Sequence, residues 1–71
     1  MSSNDYLYTV DEISQILKVN KNFVYDLIKA GHIIALKLGR YKITRLELLR
    51  FLEESNGKDF SDVNDVKELV F

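Results

Sequence analysis

Apolar residues recur along this chain at helical spacing in three separate runs, with a short strand-like stretch between the second and the third. Val10, Ile13, Ile16 and Leu17 form the first stripe. Ahead of it, Thr9-Val-Asp-Glu12 has the form of a capping box. The Thr9 hydroxyl takes the amide of Glu12, and the Glu12 carboxylate returns to the amide of Thr9. Tyr8 and Ile13 stand at the flanking staple positions. These signals predict a first helix that ends near Leu17. Order is expected to begin at Tyr8, with residues 1–7 disordered.

Lys18-Val19-Asn20 is a short connection, and Asn20 is a strong N-cap residue. Phe23, Val24, Leu27 and Ile28 make the second stripe. Ala30-Gly31 closes it, with Gly31 suited to the left-handed position after a helix end. A second helix is therefore predicted over residues 21–30. Two short helices joined this closely describe a helix-turn-helix.

Residues 33–38 are rich in β-branched and apolar side chains, and residues 41–43 continue the pattern. Gly39-Arg40 between them reads as a two-residue type II′ turn. In that register Leu38 faces Tyr41, Lys37 faces Lys42, and Leu36 faces Ile43. Opposed like charges are destabilising, so the lysine pair suggests either a bound anion or two splayed, solvated side chains.

Thr44-Arg-Leu-Glu47 is a second capping box, with Ile43 and Leu48 as its staple. Leu48, Leu49, Phe51 and Leu52 supply the apolar side of a third helix, predicted over residues 45–54. Ser55-Asn56-Gly57 stops it. Beyond, Ser61 could cap a short helix with Val63, Val66, Leu69 and Val70 on one side. Alone such a helix is marginal, so it needs the domain or a partner to pack on. The predicted architecture is mainly α with a small β-hairpin: a winged helix-turn-helix over residues 8–55, then an acidic tail over residues 56–71.

Composition narrows the chemistry. At 71 residues there is room for one domain, which buries only about 60% of its unfolded surface. With no Cys and one His, disulfides, zinc clusters and thiol nucleophiles are excluded. Ser14 has no base near it in sequence, and His32 follows Gly31 in a turn and reads as a surface residue. Asp59, Asp62 and Asp65 recur at every third position, whereas a calcium loop uses alternate ones; they read as a solvated helix edge. No catalysis, metal, cofactor or small-molecule substrate is expected. No apolar run approaches the roughly 18 residues of a membrane span. The first residues carry no basic segment of a secretory signal. A cytoplasmic protein is expected.

The net charge of −1 conceals a segregated layout. Residues 18–45 carry Lys18, Lys21, Lys29, Lys37, Arg40, Lys42 and Arg45 against Asp26 alone, a balance of +6. Residues 1–17 sum to −3, and the segments 46–55 and 56–71 to −2 each. A strongly basic centre inside an acidic frame is a charge asymmetry with meaning for partners.

Three stretches then combine: Tyr8-Thr-Val-Asp-Glu-Ile-Ser-Gln-Ile-Leu17, Val19-Asn-Lys-Asn-Phe-Val-Tyr-Asp-Leu-Ile28 with its exit Lys29-Ala-Gly31, and Leu38-Gly-Arg40 through Lys42-Ile-Thr-Arg45 into Leu48 and Leu52. In order and spacing, residues 8–52 resemble the excisionase-type helix-turn-helix family. These are MerR-like winged-helix DNA-binding domains of phage and mobile-element excisionases and small regulators. Three features depart from the family pattern. Asp26 stands where a basic residue is common, the wing loop is about a residue short, and the tail after Gly57 has no counterpart.

The second helix leaves Lys21, Asn22, Tyr25, Asp26 and Lys29 outward once its apolar stripe is buried. Asn22 can hold adenine bidentately, which makes it the best candidate base reader. Lys21 suits a guanine or a phosphate, Tyr25 a phosphate or a thymine methyl, and Lys29 a phosphate. The resemblance implies that these residues meet DNA, and that Arg40 at the wing tip enters the minor groove or follows the backbone. Lys37, Lys42 and Arg45 would clamp phosphates. Tyr41 is read as a wing-packing aromatic and Asn20 as a cap. The resemblance further implies double-stranded DNA as partner, with an integrase or recombinase or further copies of the chain beside it. The alternative is a protein-interaction module on the same scaffold.

Overall fold

The structure is a computed structural model that describes residues 6–69. It contains β1 (Leu7–Thr9), α1 (Val10–Leu17), α2 (Lys21–Lys29), β2 (Leu36–Leu38), β3 (Arg40–Thr44), α3 (Arg45–Ser55), β4 (Lys58–Asp59) and β5 (Lys67–Glu68). The order helix, helix, hairpin, helix is the winged helix-turn-helix expected. Strands contribute more than expected, so "mainly α" fits only roughly.

The first capping box forms in full. Glu12 N–H donates to Thr9 Oγ1 at 3.1 Å, and Thr9 N–H donates to Glu12 Oε1 at 2.9 Å. Lys18 ends α1 in a left-handed conformation, φ 60° and ψ 42°, which costs a non-glycine residue about 1 kcal/mol. It lets Val19 N–H close back on the Ser14 carbonyl at 2.9 Å. Asn20 Oδ1 then accepts from Phe23 N–H at 2.8 Å and starts α2. At the far end Gly31, at φ +83°, permits a Schellman closure. Gly31 N–H donates to the Ile28 carbonyl at 3.1 Å, and His32 N–H to that of Leu27 at 2.9 Å.

The core is drawn from every element of the winged helix except β2. Ile13, Val24 and Ile43 are fully buried, with Leu27 and Ile33 nearly so, and Tyr8, Val10, Leu48 and Phe51 complete the cluster. Ile16, Leu49 and Leu52, assigned by periodicity to apolar stripes, remain substantially exposed. The domain is too thin to cover a second row of them. Ser14 is buried, and its hydroxyl donates to the Asp11 carbonyl at 2.6 Å, a structural role. No helix among the described residues is long and apolar enough to cross a membrane.

Several expectations are corrected. Order begins before Tyr8. Leu7 is already in β1, which pairs antiparallel with β3 through Leu7↔Thr44, Tyr8↔Ile43 and Thr9↔Lys42. The pairing fills the open edge of β3, and Arg45 N–H extends it to the Tyr6 carbonyl at 2.9 Å. Of the segment expected to be disordered, residues 1–5 lie outside the described residues.

The wing register is shifted by one. Leu36 pairs with Lys42, Lys37 with Tyr41, and Leu38 with Arg40. Gly39 alone makes the reversal, at φ +77°. Because strand side chains alternate, a one-residue shift changes every partner. Lys37 now shares a face with Tyr41 and Ile43, and Lys42 points to the other. Lys37 and Lys42 are therefore not opposed, and the wing pairing gives no ground for an anion between them.

The second capping box is only half made. Thr44 Oγ1 accepts from Glu47 N–H at 3.0 Å. The Glu47 carboxylate does not return to Thr44, whose backbone sits in the β3 ladder. It accepts instead from Ile34 N–H at 2.9 Å and from Arg50 Nε at 2.7 Å. Arg50 also donates to Glu54, and its other arm reaches the His32 carbonyl at 3.1 Å.

The tail is a hairpin and not a helix. Lys58 pairs with Glu68 and Asp59 with Lys67. Asp59 Oδ1 takes Ser61 N–H at 2.8 Å, and Asp62 Oδ1 takes Asn64 N–H at 3.0 Å. Such Asx turns compete with helix formation, so these aspartates shape the loop and are not a helix edge. Phe60 packs against Phe51 and His32, ring centroids 5.5 and 5.2 Å apart. His32 Nε2 donates to the Val63 carbonyl. His32 is therefore half-buried beneath the tail, not a surface residue.

Two stability predictions follow from these contacts. The Arg50 hydrogen bond foremost, opposed by burial and helped by the Ile34 amide, holds the Glu47 carboxyl below its ordinary value of 4.5. A carboxyl depressed on folding stabilises above its unfolded value, and that stability is lost as pH falls through the folded one. Glu47→Gln should cost about 2 kcal/mol at pH 7. Denaturation at pH 3 should show a much smaller difference from the parent; an undiminished gap there would refute the ionic role. Phe60→Ala should cost about 2 kcal/mol and lower Tm by roughly 10 °C. An unchanged melting curve would mean that the hairpin contributes nothing to the domain.

Candidate nucleic-acid interface

The N-terminal turns of α1 and α2 and the β3 strand of the wing enclose an open cleft of about 380 Å³. Its lining joins Thr9, Val10 and Asp11 from the start of α1, Lys21, Asn22 and Tyr25 from α2, and Arg40, Tyr41 and Lys42 from β3. Five of the eight residues singled out in the sequence thus meet here: Lys21, Asn22, Tyr25, Arg40 and Lys42.

Each is placed by a local device. The Asn20 cap fixes where α2 begins and so turns Lys21, Asn22 and Tyr25 outward while Val24 and Leu27 are buried. Tyr41 packs edge-on against Tyr25, centroids 6.2 Å apart, and ties the wing to α2. The Lys37 ammonium lies 5.5 Å from the centre of the Tyr41 ring, a cation–π contact. Tyr41 is the packing aromatic expected. Alternation along β3 does the rest. Ile43 enters the core and Lys42 reaches the cleft beside Thr9, its partner across the sheet.

Lys29, Lys37 and Arg45 do not line the cleft. Lys29 is exposed in the last turn of α2, where a cation suits the helix dipole. Lys37 stands on the far side of the wing from Lys42. Arg45 opens α3 beside a separate apolar hollow formed with Tyr6, Leu7, Thr44, Leu46 and Leu49.

The sequence reading missed Asp11. It counted only as the interior of a capping box, yet its carboxylate sits 3.3 Å from the Lys21 ammonium at the rim of the cleft. The lining therefore carries three cations and one carboxylate, with an amide and two phenols between them. That set suits an anionic, hydrogen-bonding surface. No group of three or more potential metal ligands occurs among the described residues.

A family model described as a helix-turn-helix domain matches residues 7–56. The chain belongs to the helix-turn-helix domain family. It is thereby placed among DNA-binding helix-turn-helix proteins, a class that is typically non-enzymatic. The family span runs from β1 through α3 and ends before β4, so the whole cleft lies inside it and the tail hairpin outside. No curated protein and no solved structure matches the chain.

Proposed function

We propose that this is a sequence-specific DNA-binding protein of excisionase type. It serves as an accessory factor for site-specific recombination or as a small transcriptional regulator of a phage or mobile element. One observation carries the reading. The exposed start of α2 and the cations of the wing line a single cleft, as a protein needs if it is to touch base edges and backbone together. In this reading α2 enters the major groove. Asn22 reads adenine, with Lys21 and Tyr25 as neighbouring contacts. Arg40 and Lys42 hold the adjacent backbone, and Lys29, Lys37 and Arg45 supply outer phosphate contacts. One domain reads a short site, so specificity requires a second copy or a recombinase beside it.

The second reading, a protein-interaction module, is favoured by the apolar hollow of about 540 Å³ around Tyr6, Leu7, Leu46 and Leu49. A recombinase or another copy could dock there while DNA occupies the cleft.

Binding to random and to library-selected duplexes at several salt concentrations tests the first reading. Affinity should fall with salt at a log–log slope of about −0.9 per phosphate contacted. Lys42→Ala should weaken both duplexes alike and flatten the slope by about one. Asn22→Ala should cut preference for the selected site by about fivefold or more, the loss of about 1–3 kcal/mol of base discrimination. No binding at low salt would overturn the reading, and equal loss on both duplexes would remove Asn22 as reader.

A further inference from the structure

We propose that Asp11 is an electrostatic brake on indiscriminate DNA binding, acting by holding the Lys21 ammonium against the protein. The inference rests on the DNA-binding reading above.

Asp11 lines the same cleft as Lys21, Arg40 and Lys42, and among the described residues it is the one acidic side chain of that lining. Its carboxylate lies 3.3 Å from Lys21 Nζ, with both side chains more than half exposed. An exposed pair of this kind adds little to folding. The cap of α1 is made by Thr9 and Glu12, which satisfy each other's amides; Asp11 adds only the modest favour of a first-turn carboxylate for the helix dipole, which thermal melts would register. The placement is costly for a surface that meets a polyanion. A phosphate approaching the end of α2 meets a neutralised lysine and, beside it, a carboxylate. To contact phosphate, Lys21 has to leave Asp11. Random duplex offers little except phosphate, so this cost falls on every non-cognate site, which a genome presents in vast excess. The acid is sited to subtract from the term that the basic segment supplies.

The experiment uses the full chain as wild type, Asp11→Asn, Lys21→Ala and the double variant. Each is titrated with a random-sequence duplex from 50 to 200 mM salt, and thermal melts report folding. Releasing one lysine is worth one further phosphate contact. Asp11→Asn should therefore bind random duplex roughly fivefold more tightly near 100 mM salt, with a slope steeper by about one. In the Lys21→Ala background the same change should bring less than half of that gain. Three results would overturn the brake: no gain for a folded Asp11→Asn, an equal gain without Lys21, or a lowered Tm as its only effect. Failure of the parent reading looks different, because then neither wild type nor any variant binds duplex at the lowest salt.

Discussion

The Glu47 carboxylate is the point on which the arrangement of the domain depends. One side chain on α3 accepts from the Ile34 amide in the link between α2 and the wing, and from Arg50 one turn on. Arg50 in turn reaches the His32 carbonyl just past the end of α2. Two segments distant in sequence, α3 and the linker just past α2, are thus tied by charge-assisted hydrogen bonds, which are stronger than neutral ones. In a domain with so few buried side chains, that clamp decides where the linker runs. The linker decides how the wing stands relative to α2, and the cleft exists only because those two elements are held at its sides.

The strand β3 converts this scaffold into a surface. It is the central strand of three, paired with β1 on one edge and β2 on the other. Its alternation sends Tyr41 and Ile43 inward and Arg40 and Lys42 outward. The same five residues therefore anchor the core, bridge to Tyr25 and furnish the cleft's wing cations. A change of register would disturb all three roles together. That coupling explains why a single glycine reversal at Gly39, and not the looser two-residue turn, matters to the site.

Much of this was legible in the sequence, because local signals and tertiary demands agreed. The Thr9–Glu12 box, the Asn20 cap and the Gly31 exit depend on residues within five positions of one another, and all three formed where spacing placed them. The errors fall where a distant partner competes. Glu47 had a local role available and took a tertiary one. Asp59 and Asp62 hydrogen-bond amides two residues on, which turned a predicted helix into a hairpin. Leu7 looked like part of a frayed end because nothing in the sequence announces that β3 has an open edge beside it. Asp11 was invisible as a site residue for the same reason. Its neighbour Lys21 is ten positions away and on another helix, and only the packing of α1 against α2 brings them together.

The net charge of −1 takes its meaning from this geometry. The cleft lies at the N-terminal end of α2. The acidic hairpin is fastened at the opposite end through Phe60, Phe51 and His32. A helix of nine residues separates the two by about 13 Å, more than the Debye length of about 8 Å at physiological salt. The tail is thus anchored more than a Debye length from the cleft, and overall charge is a poor guide to the surface that matters. Asp11 is different. Its carboxylate lies 3.3 Å from the Lys21 ammonium, well inside that screening length. Among the described residues it is the acid that lines the cleft itself, whereas Asp26 stands on the exposed side of α2 outside that lining.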